Sequence, residues 1–414
     1  MRLTRATFVH AARVVTELLR FAGPADETLS RYFRAHRTLG QQERGAVAET
    51  AFAVLRRRRS LEAAAGSAAP EALVAAAALR VLGLSARSLE GLVDEALVRR
   101  VRAFRTERLA PAARFDLPDW LWARLAAELG AAEAARAAQA LLNPAPLDLR
   151  VNLARTTREA VLARLNAEGV RAAPTPLSPA GVRLAGKPPI NRHALFREGL
   201  VEVQDEGSQL LAWLLGPRRG EMVADYCAGA GGKTLAIAML MRGTGRVYAM
   251  DISAGRLAAL GPRAARAGVT SIHPLVLAGD NDPRAKRLAG KLDRVLVDAP
   301  CSGFGTLRRN PDLKWRHGPD AVASLAAKQR AILAAAARLV KPGGRLVYAT
   351  CSILREENEE VAAAFAATHP GFFPLACAEL LAAQRLGPDA EALLRLWPHR
   401  HGTDGFFAAA FERA

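Results

Sequence analysis

The stretch Met222-Val223-Ala224-Asp225-Tyr226-Cys227-Ala228-Gly229-Ala230-Gly231-Gly232-Lys233-Thr234 passes from an apolar strand pattern into a glycine-rich turn, and residues 235–241 continue it as an apolar helix. Strand, tight turn and helix in that order make the first unit of an alternating α/β sheet. Glycines in the turn let the backbone approach a ligand at the C-terminal edge of the strands. Further strand patterns stand at residues 246–251, 273–277, 293–298 and 344–350, with helical stretches between them. Residues 203–414 are therefore expected to form a Rossmann-like α/β domain around a parallel, doubly wound sheet.

The glycine-rich octet is one residue away from a phosphate loop, G-x-x-x-x-G-K-[ST], but Cys227 stands where that loop needs its first glycine. The spacing G-x-G-x-x-G is absent as well, which weakens a dinucleotide reading. Asp251, 26 residues after Asp225 and at the end of the second strand, can accept bonds from both hydroxyls of a ribose, which favours a nucleoside-type cofactor; capping of the helix around Arg256 is its structural alternative. Asp280, beyond the third strand, can meet an adenine edge or simply shape a turn. The fourth strand ends in Asp298-Ala299-Pro300-Cys301-Ser302-Gly303 and the fifth in Thr350-Cys351-Ser352, so two thiols are expected at the edge that holds the cofactor.

Length and composition bound the rest. The 414 residues carry 58 Lys+Arg against 40 Asp+Glu, a net charge of +18, with 50% apolar residues. Such a chain is globular, with more than one core, and its charge points to a polyanion such as nucleic acid or to an anionic membrane surface. Only seven of the basic residues are Lys and Ala is abundant, a coding bias that makes the choice of Arg uninformative, though not the excess. No apolar run is long enough to span a membrane and no signal-peptide core follows Met1, so a cytoplasmic protein is expected. Cys227, Cys301, Cys351 and Cys377 form no C-x-x-C pair, and the histidines have no recurrent ligand spacing. Neither a disulfide framework nor a metal site is expected, and Cys377 reads as a buried structural thiol.

Residues 1–142 read as helix after helix, with Ser30, Ser60 and Ser88 as candidate N-caps or turn residues and Gly66 and Gly83 as breaks. The run Arg56-Arg57-Arg58-Arg59 can grip phosphates from a helix end or form a solvated face. Asn143-Pro144-Ala145-Pro146 breaks the helical pattern, and residues 143–202 then mix strand and helix patterns as a small α+β module. Near the C-terminus, residues 401–411 look like a final hairpin.

The motifs in order carry a resemblance. The octet beginning at Cys227, the block 298–303, Arg309-Asn310-Pro311-Asp312 through Trp315, and Thr350-Cys351-Ser352 are similar to the pattern of bacterial ribosomal RNA cytosine-C5 methyltransferases of the RsmB group, within the Nol/Nop/Sun family. Residues 1–142 resemble the group's NusB-like helical RNA-binding domain, 143–202 its small α+β segment and 203–414 its class I methyltransferase domain. The resemblance implies S-adenosylmethionine as methyl donor, held by Cys227, Ala228, Gly229, Ala230, Gly231, Gly232, Lys233, Asp251, Arg256, Asp280 and Asp298. It implies Cys351 as nucleophile, Cys301 as the residue that assists release, and structured RNA, the 16S ribosomal RNA, as substrate; a monomer is the default expectation, since nothing in the sequence reads out oligomeric state. One departure is Gly229-Ala230-Gly231 where many relatives have Ala-Pro-Gly, which bears on the shape of the loop.

The chemistry gives the thiols a purpose. Carbon 5 of cytosine is a poor nucleophile until a thiolate adds to carbon 6, and the adduct must then lose the carbon 5 proton and expel the thiolate. Chemistry alone leaves Cys301, the cysteine of a Pro-Cys pair, as the rival nucleophile, while Asp298 can bond the exocyclic amine and N3 of a cytosine flipped from its stack. Arg308, Arg309, Trp315, Arg316 and His317 form an expected RNA-facing segment. The competing readings are methylation of a transfer RNA or of 23S ribosomal RNA, a P-loop NTPase built on Lys233 and Asp298, and a non-catalytic antitermination-type RNA-binding factor.

Overall fold

The computed structural model describes residues 3–279, 282–387 and 390–414. The chain falls into two compact units, residues 1–144 with 306–319, and residues 145–305 with 320–414.

The first unit is helical. Helix Arg5–Leu18 starts at Thr4, whose hydroxyl accepts the Thr7 amide at 3.2 Å, and buries Phe8, Ala11, Val15 and Leu18 against Gln41–Arg56 and Pro70–Arg80. Pro70–Arg80 is buried along its whole middle, Leu73 through Ala78, and its four consecutive alanines let neighbouring helices approach on every side. Gly66, with φ +65°, ends helix Arg58–Ala65 as expected. Ser30 and Ser60 lie inside helices and cap nothing, while Ser88 is a turn residue within the 3₁₀ segment Ala86–Leu89. Ser60 instead gives its amide and hydroxyl to the buried Asp116 carboxylate, both at 2.8 Å.

The segment 306–319 belongs to this unit although the chain reaches it directly from the fourth strand of the large sheet. Trp315 Nε1 donates to the Leu55 carbonyl at 2.8 Å, Lys314 Nζ to the Arg56 carbonyl at 2.9 Å, and Asp312 accepts the Ala25 amide at 3.3 Å. Arg308 is buried, and its carbonyl accepts from Arg56. Burial takes the Arg308 side chain out of the RNA-facing segment expected there, and the Trp315 indole N–H is turned to a helix carbonyl left open at Leu55. The arginine run serves this docking too. Arg58 lies over the rings of Phe21 and Trp315, and Arg59 pairs with Asp119 at 2.8 Å, so this half-buried run is partly engaged within its own unit.

In the second unit, strands β1 (Leu147–Val151), β2 (Ala172–Pro174), β3 (Gly181–Leu184) and β4 (Val201–Val203) form an antiparallel sheet in the order β2-β3-β1-β4. Helix Arg158–Ala167, capped by Thr157, covers it with Val161 and Leu165. The large sheet comprises β5 (Met222–Asp225), β6 (Arg246–Asp251), β7 (Ile272–Val276), β8 (Leu292–Asp298), β9 (Val340–Thr350), β10 (Phe372–Leu375), β11 (Leu394–Leu396) and β12 (Phe406–Arg413). Its order is β10-β12-β9-β8-β5-β6-β7, with β11 also on β12. Strands β5 to β9 are parallel and β12 runs antiparallel to β9, the class I methyltransferase arrangement. The expected terminal hairpin is instead one strand, β12, preceded by helix Pro398–His401, because β12 finds partners on both sides in β9, β10 and β11. The chain leaves β5 toward β6 and β7 and returns to β8 on the other side, so the crevice at the C-terminal ends of β5 and β8 is the switch point where such sheets bind ligands.

Lys314 is 2% exposed, and burial, opposed by Asp116 and reinforced by Arg56 and Arg57, lowers its pKa to about 7. A lysine whose folded pKa lies below its unfolded one destabilises most at low pH. Stability of the helical unit should therefore rise by about 2 kcal/mol between pH 7 and pH 9, and Lys314→Met should flatten that rise in urea titrations. Gly231 has φ +82° and an added Cβ would lie 2.2 Å from Leu260 Cδ1. Gly231→Ala should cost about 1 to 3 kcal/mol, read from the unfolding midpoint of the second unit.

Candidate active site

Strand β5 delivers Asp225 and then the turn 227–231. Asp225 is buried, its Oδ2 accepting from Thr234 Oγ1 at 2.7 Å and its Oδ1 unpartnered, and burial raises its pKa to about 6. The turn is held from below by the Ala228 amide, which donates to the Met250 carbonyl at 2.9 Å at the end of β6. Gly229 and Gly231 both adopt positive φ, and a side chain on Gly229 would meet Arg256 Nη2 at 2.4 Å. Arg256 therefore lies against the turn that sequence assigned to the cofactor.

Asp251, at the end of β6, accepts the Gly229 amide on Oδ2 at 2.8 Å and the Ser253 amide on Oδ1 at 2.7 Å. The cap of the following helix is Ser253 and not Asp251. Each Asp251 oxygen keeps a further lone pair, so the carboxylate can still accept from two hydroxyls. Ile252 beside it is 59% exposed, an apolar surface next to the turn that sequence reasoning did not single out. Asp280 lies outside the described residues.

The back of the turn is clamped by residues the sequence reading missed. Arg150 of β1 is buried, and its Nη1 donates to the Gly232 carbonyl at 2.7 Å and to Gln204. Arg263 donates to the Ala230 carbonyl and pairs with Glu202 of β4 at 3.4 Å. Burial lowers the Arg150 pKa to about 10, with Glu202 opposing and Arg263 adding to the shift. The small sheet is thus hydrogen-bonded into the glycine turn. No local motif announces this, since Arg150 and Gly232 lie 82 positions apart and Arg263 and Ala230 lie 33 apart.

Parallel pairing of β8 with β9 sets Asp298 beside Ala349, so the loops that follow carry Cys301 and Cys351 to one place. Their sulfurs are 3.3 Å apart and both are half-buried. The hydrogen bond to Cys351, with burial and the nearby Glu357 charge, drives the Cys301 thiol well above its ordinary pKa. Lys233 Nζ bonds Asp298 Oδ2 at 2.7 Å and lies 5.7 Å from the Phe406 ring centre. Burial opposes the ammonium, but Asp298, with Cys351 and Asp225 adding to it, raises its pKa. Burial also raises the Cys227 thiol, with Asp298, Asp225 and Asp251 reinforcing the shift, so Cys227 stays a neutral thiol in the turn. The structure therefore gathers Cys301, Cys351, Asp298 and Lys233 into one cluster and Asp251 and Arg256 around the glycine turn. Cys377 is elsewhere, buried and directed at the Ala408 carbonyl at 3.7 Å. Among the described residues no group of His, Cys, Asp and Glu is arranged to hold a metal, and no helix is long and apolar enough to cross a membrane.

Comparison with known proteins gives this arrangement its relatives. Residues 212–412 match the family of the 16S rRNA methyltransferase RsmB/F, and residues 117–191 the ferredoxin-like domain of RsmF/B-like methyltransferases. The "Probable ribosomal RNA small subunit methyltransferase B" of Bacillus subtilis is 38% identical over 72% of this chain and 66% of its own length. The ribosomal RNA small subunit methyltransferase B of Sodalis glossinidius is 36% identical over 82% of this chain and 76% of its own. The crystal structure of PH0851 covers both chains entirely at 26% identity with a TM-score of 0.82. The matched regions thus span about two thirds to three quarters of these curated relatives. With a paired-thiol cluster at the switch point of a class I sheet and relatives of this identity and coverage, the chain belongs to the RsmB/F family of 16S rRNA methyltransferases.

Proposed function

We propose that the chain transfers a methyl group from S-adenosylmethionine to carbon 5 of a cytosine in 16S ribosomal RNA, through a covalent bond between Cys351 and carbon 6. The observation that carries this reading is the 3.3 Å approach of Cys301 and Cys351 beside the Lys233–Asp298 pair. Chemistry at cytosine carbon 5 needs a nucleophilic sulfur and a second group for release, whereas a hydrolase of nucleotides needs neither. Commitment of Lys233 to Asp298 also weakens the phosphate-loop alternative.

The residues present fit the methyl donor. The glycine turn leaves room for close approach, Asp251 retains acceptor capacity for two hydroxyls, and Ile252 offers an apolar face beside them. S-adenosylmethionine, when bound, supplies an electrophilic methyl on a sulfonium. Cys351 adds to carbon 6 of the flipped base as a thiolate, next to the Lys233 ammonium, and electron density moves to carbon 5. Asp298 accepts from the exocyclic amine and fixes the ring. After transfer a base removes the proton at carbon 5 and Cys351 leaves as a thiolate, stabilised by the hydrogen bond from the protonated Cys301.

Cys351→Ala should abolish methylation. Cys301→Ala should leave a denaturation-resistant complex with RNA, because addition then outruns release; a trapped complex in Cys351→Ala instead would reverse the two roles. Asp251→Ala should weaken S-adenosylmethionine binding roughly 10- to 100-fold in calorimetry, the loss of hydrogen bonds to a charged acceptor. Bisulfite sequencing of total RNA from a strain lacking the chain identifies the target, as the cytosine that becomes newly convertible. Convertibility confined to transfer RNA or 23S ribosomal RNA would displace 16S ribosomal RNA as substrate.

A further inference from the structure

The two cysteine loops share an anchor that the reaction chemistry does not call for. Cys301 is followed by Ser302 and Cys351 by Ser352, and both serines turn inward to a single carboxylate, that of the fully buried Glu357. Its Oε1 accepts the Ser302 amide at 2.8 Å and Gln329 Nε2 at 3.0 Å. Its Oε2 accepts the hydroxyls of Ser302 and Ser352, both at 2.5 Å, and the two hydroxyl oxygens are themselves 3.2 Å apart. Gln329 also donates to the Pro300 carbonyl at 3.0 Å, one residue before Cys301. Tyr348 donates to the Glu357 carbonyl, and Asn358 donates to the Ser352 carbonyl at 3.1 Å.

An ionised carboxylate is worth burying only where donors surround it, because desolvation otherwise costs more than the bonds return. Glu357 has no cation among these partners. What it bonds are the residues next to the two thiols, so moving either loop would cost a charge-assisted bond to a group that water cannot reach. Separate loops could each fold without such a group. A shared one fixes their separation.

We propose that Glu357 is a positioning residue for catalysis, which through Ser302 and Ser352 holds the Cys301 thiol within hydrogen-bond reach of the Cys351 sulfur. The inference rests on the roles given above to the two cysteines. Loosening the bracket leaves Cys351 able to attack while depriving it of the donor that assists its departure. Loss of Glu357 therefore resembles, in part, loss of Cys301.

The test uses the full chain with Glu357→Ala and the volume-conserving Glu357→Gln, with wild type and Cys301→Ala in parallel. Each is incubated with RNA and S-adenosylmethionine, and the fraction trapped as a denaturation-resistant RNA complex is measured on gels. Glu357→Ala should raise the trapped fraction at least fivefold over wild type, with Glu357→Gln between them and S-adenosylmethionine affinity within twofold. If Cys301→Ala traps RNA and neither Glu357 variant does, the bracket serves folding alone and the proposal is overturned. If Cys301→Ala itself traps nothing, the cysteine roles fail, and a substrate-free measurement decides about the bracket. In that case the rate of Cys301 alkylation by iodoacetamide, normalised to Cys377 and followed by mass spectrometry, should rise at least fivefold in both Glu357 variants. An unchanged rate overturns the proposal.

Discussion

Everything that can happen at this site depends on the parallel pairing of β8 with β9. Register alone, Asp298 beside Ala349, brings two thiols separated by 50 residues of sequence to the same sheet edge. Pairing sets the loops side by side, but it cannot hold their tips at one distance, because the ladder ends where the loops begin. The Gly305 amide takes up the task by donating to the Cys351 carbonyl at 2.8 Å, and the same Gly305 has no space for a side chain against Gly405 and Cys351. Backbone threads the loops together on one side and the Glu357 carboxylate does so on the other.

The parts of this fold that were legible in sequence are those governed by short-range pattern. Strand β6 has the expected bounds, and β5, β7, β8 and β9 differ by a few residues at their ends, since the apolar run of a strand in a parallel sheet stands out from its surroundings. The helices between Arg5 and Leu141 were legible through their apolar spacing of three to four residues. The serine caps were not, because a hydroxyl inside a helix is indistinguishable by sequence from one that begins it, and Ser60 was claimed by Asp116 from a distant turn. The docking role of Arg308 and Trp315 was not legible, because interleaved charge and an aromatic describe an RNA surface and a docking surface equally well. What separates the two is whether carbonyls wait for donors, as those of Leu55 and Arg56 do.

The candidate site divides in the same way. Cys301, Cys351, Asp298, Asp251 and the glycine turn follow directly from where strands end. Glu357, Arg150 and Arg263 do not, because a buried charge is recognisable only through partners supplied by other elements. A signal for Glu357 did exist: the pair Cys-Ser occurs at both strand ends, at residues 301–302 and 351–352, and two hydroxyls in equivalent places invite a common acceptor. Arg150 and Arg263 offered no such sign, lying in a run of ordinary strand and helix residues.

These buried guanidiniums also alter what the net charge of +18 means. Arg150 and Arg294 are buried on carbonyls and a carboxylate inside the second unit, the half-buried Arg56 and Arg345 also bond carbonyls, and Lys314 is spent on a helix end. A cation that bonds a carbonyl in the interior cannot displace a counterion from a polyanion, so the net charge overstates the cations available for such contacts. Their burial has a second consequence. Each interior guanidinium ties segments distant in sequence, as Arg150 ties β1 to the Gly232 turn, so these arginines act as multivalent donors between elements that apolar packing alone does not join.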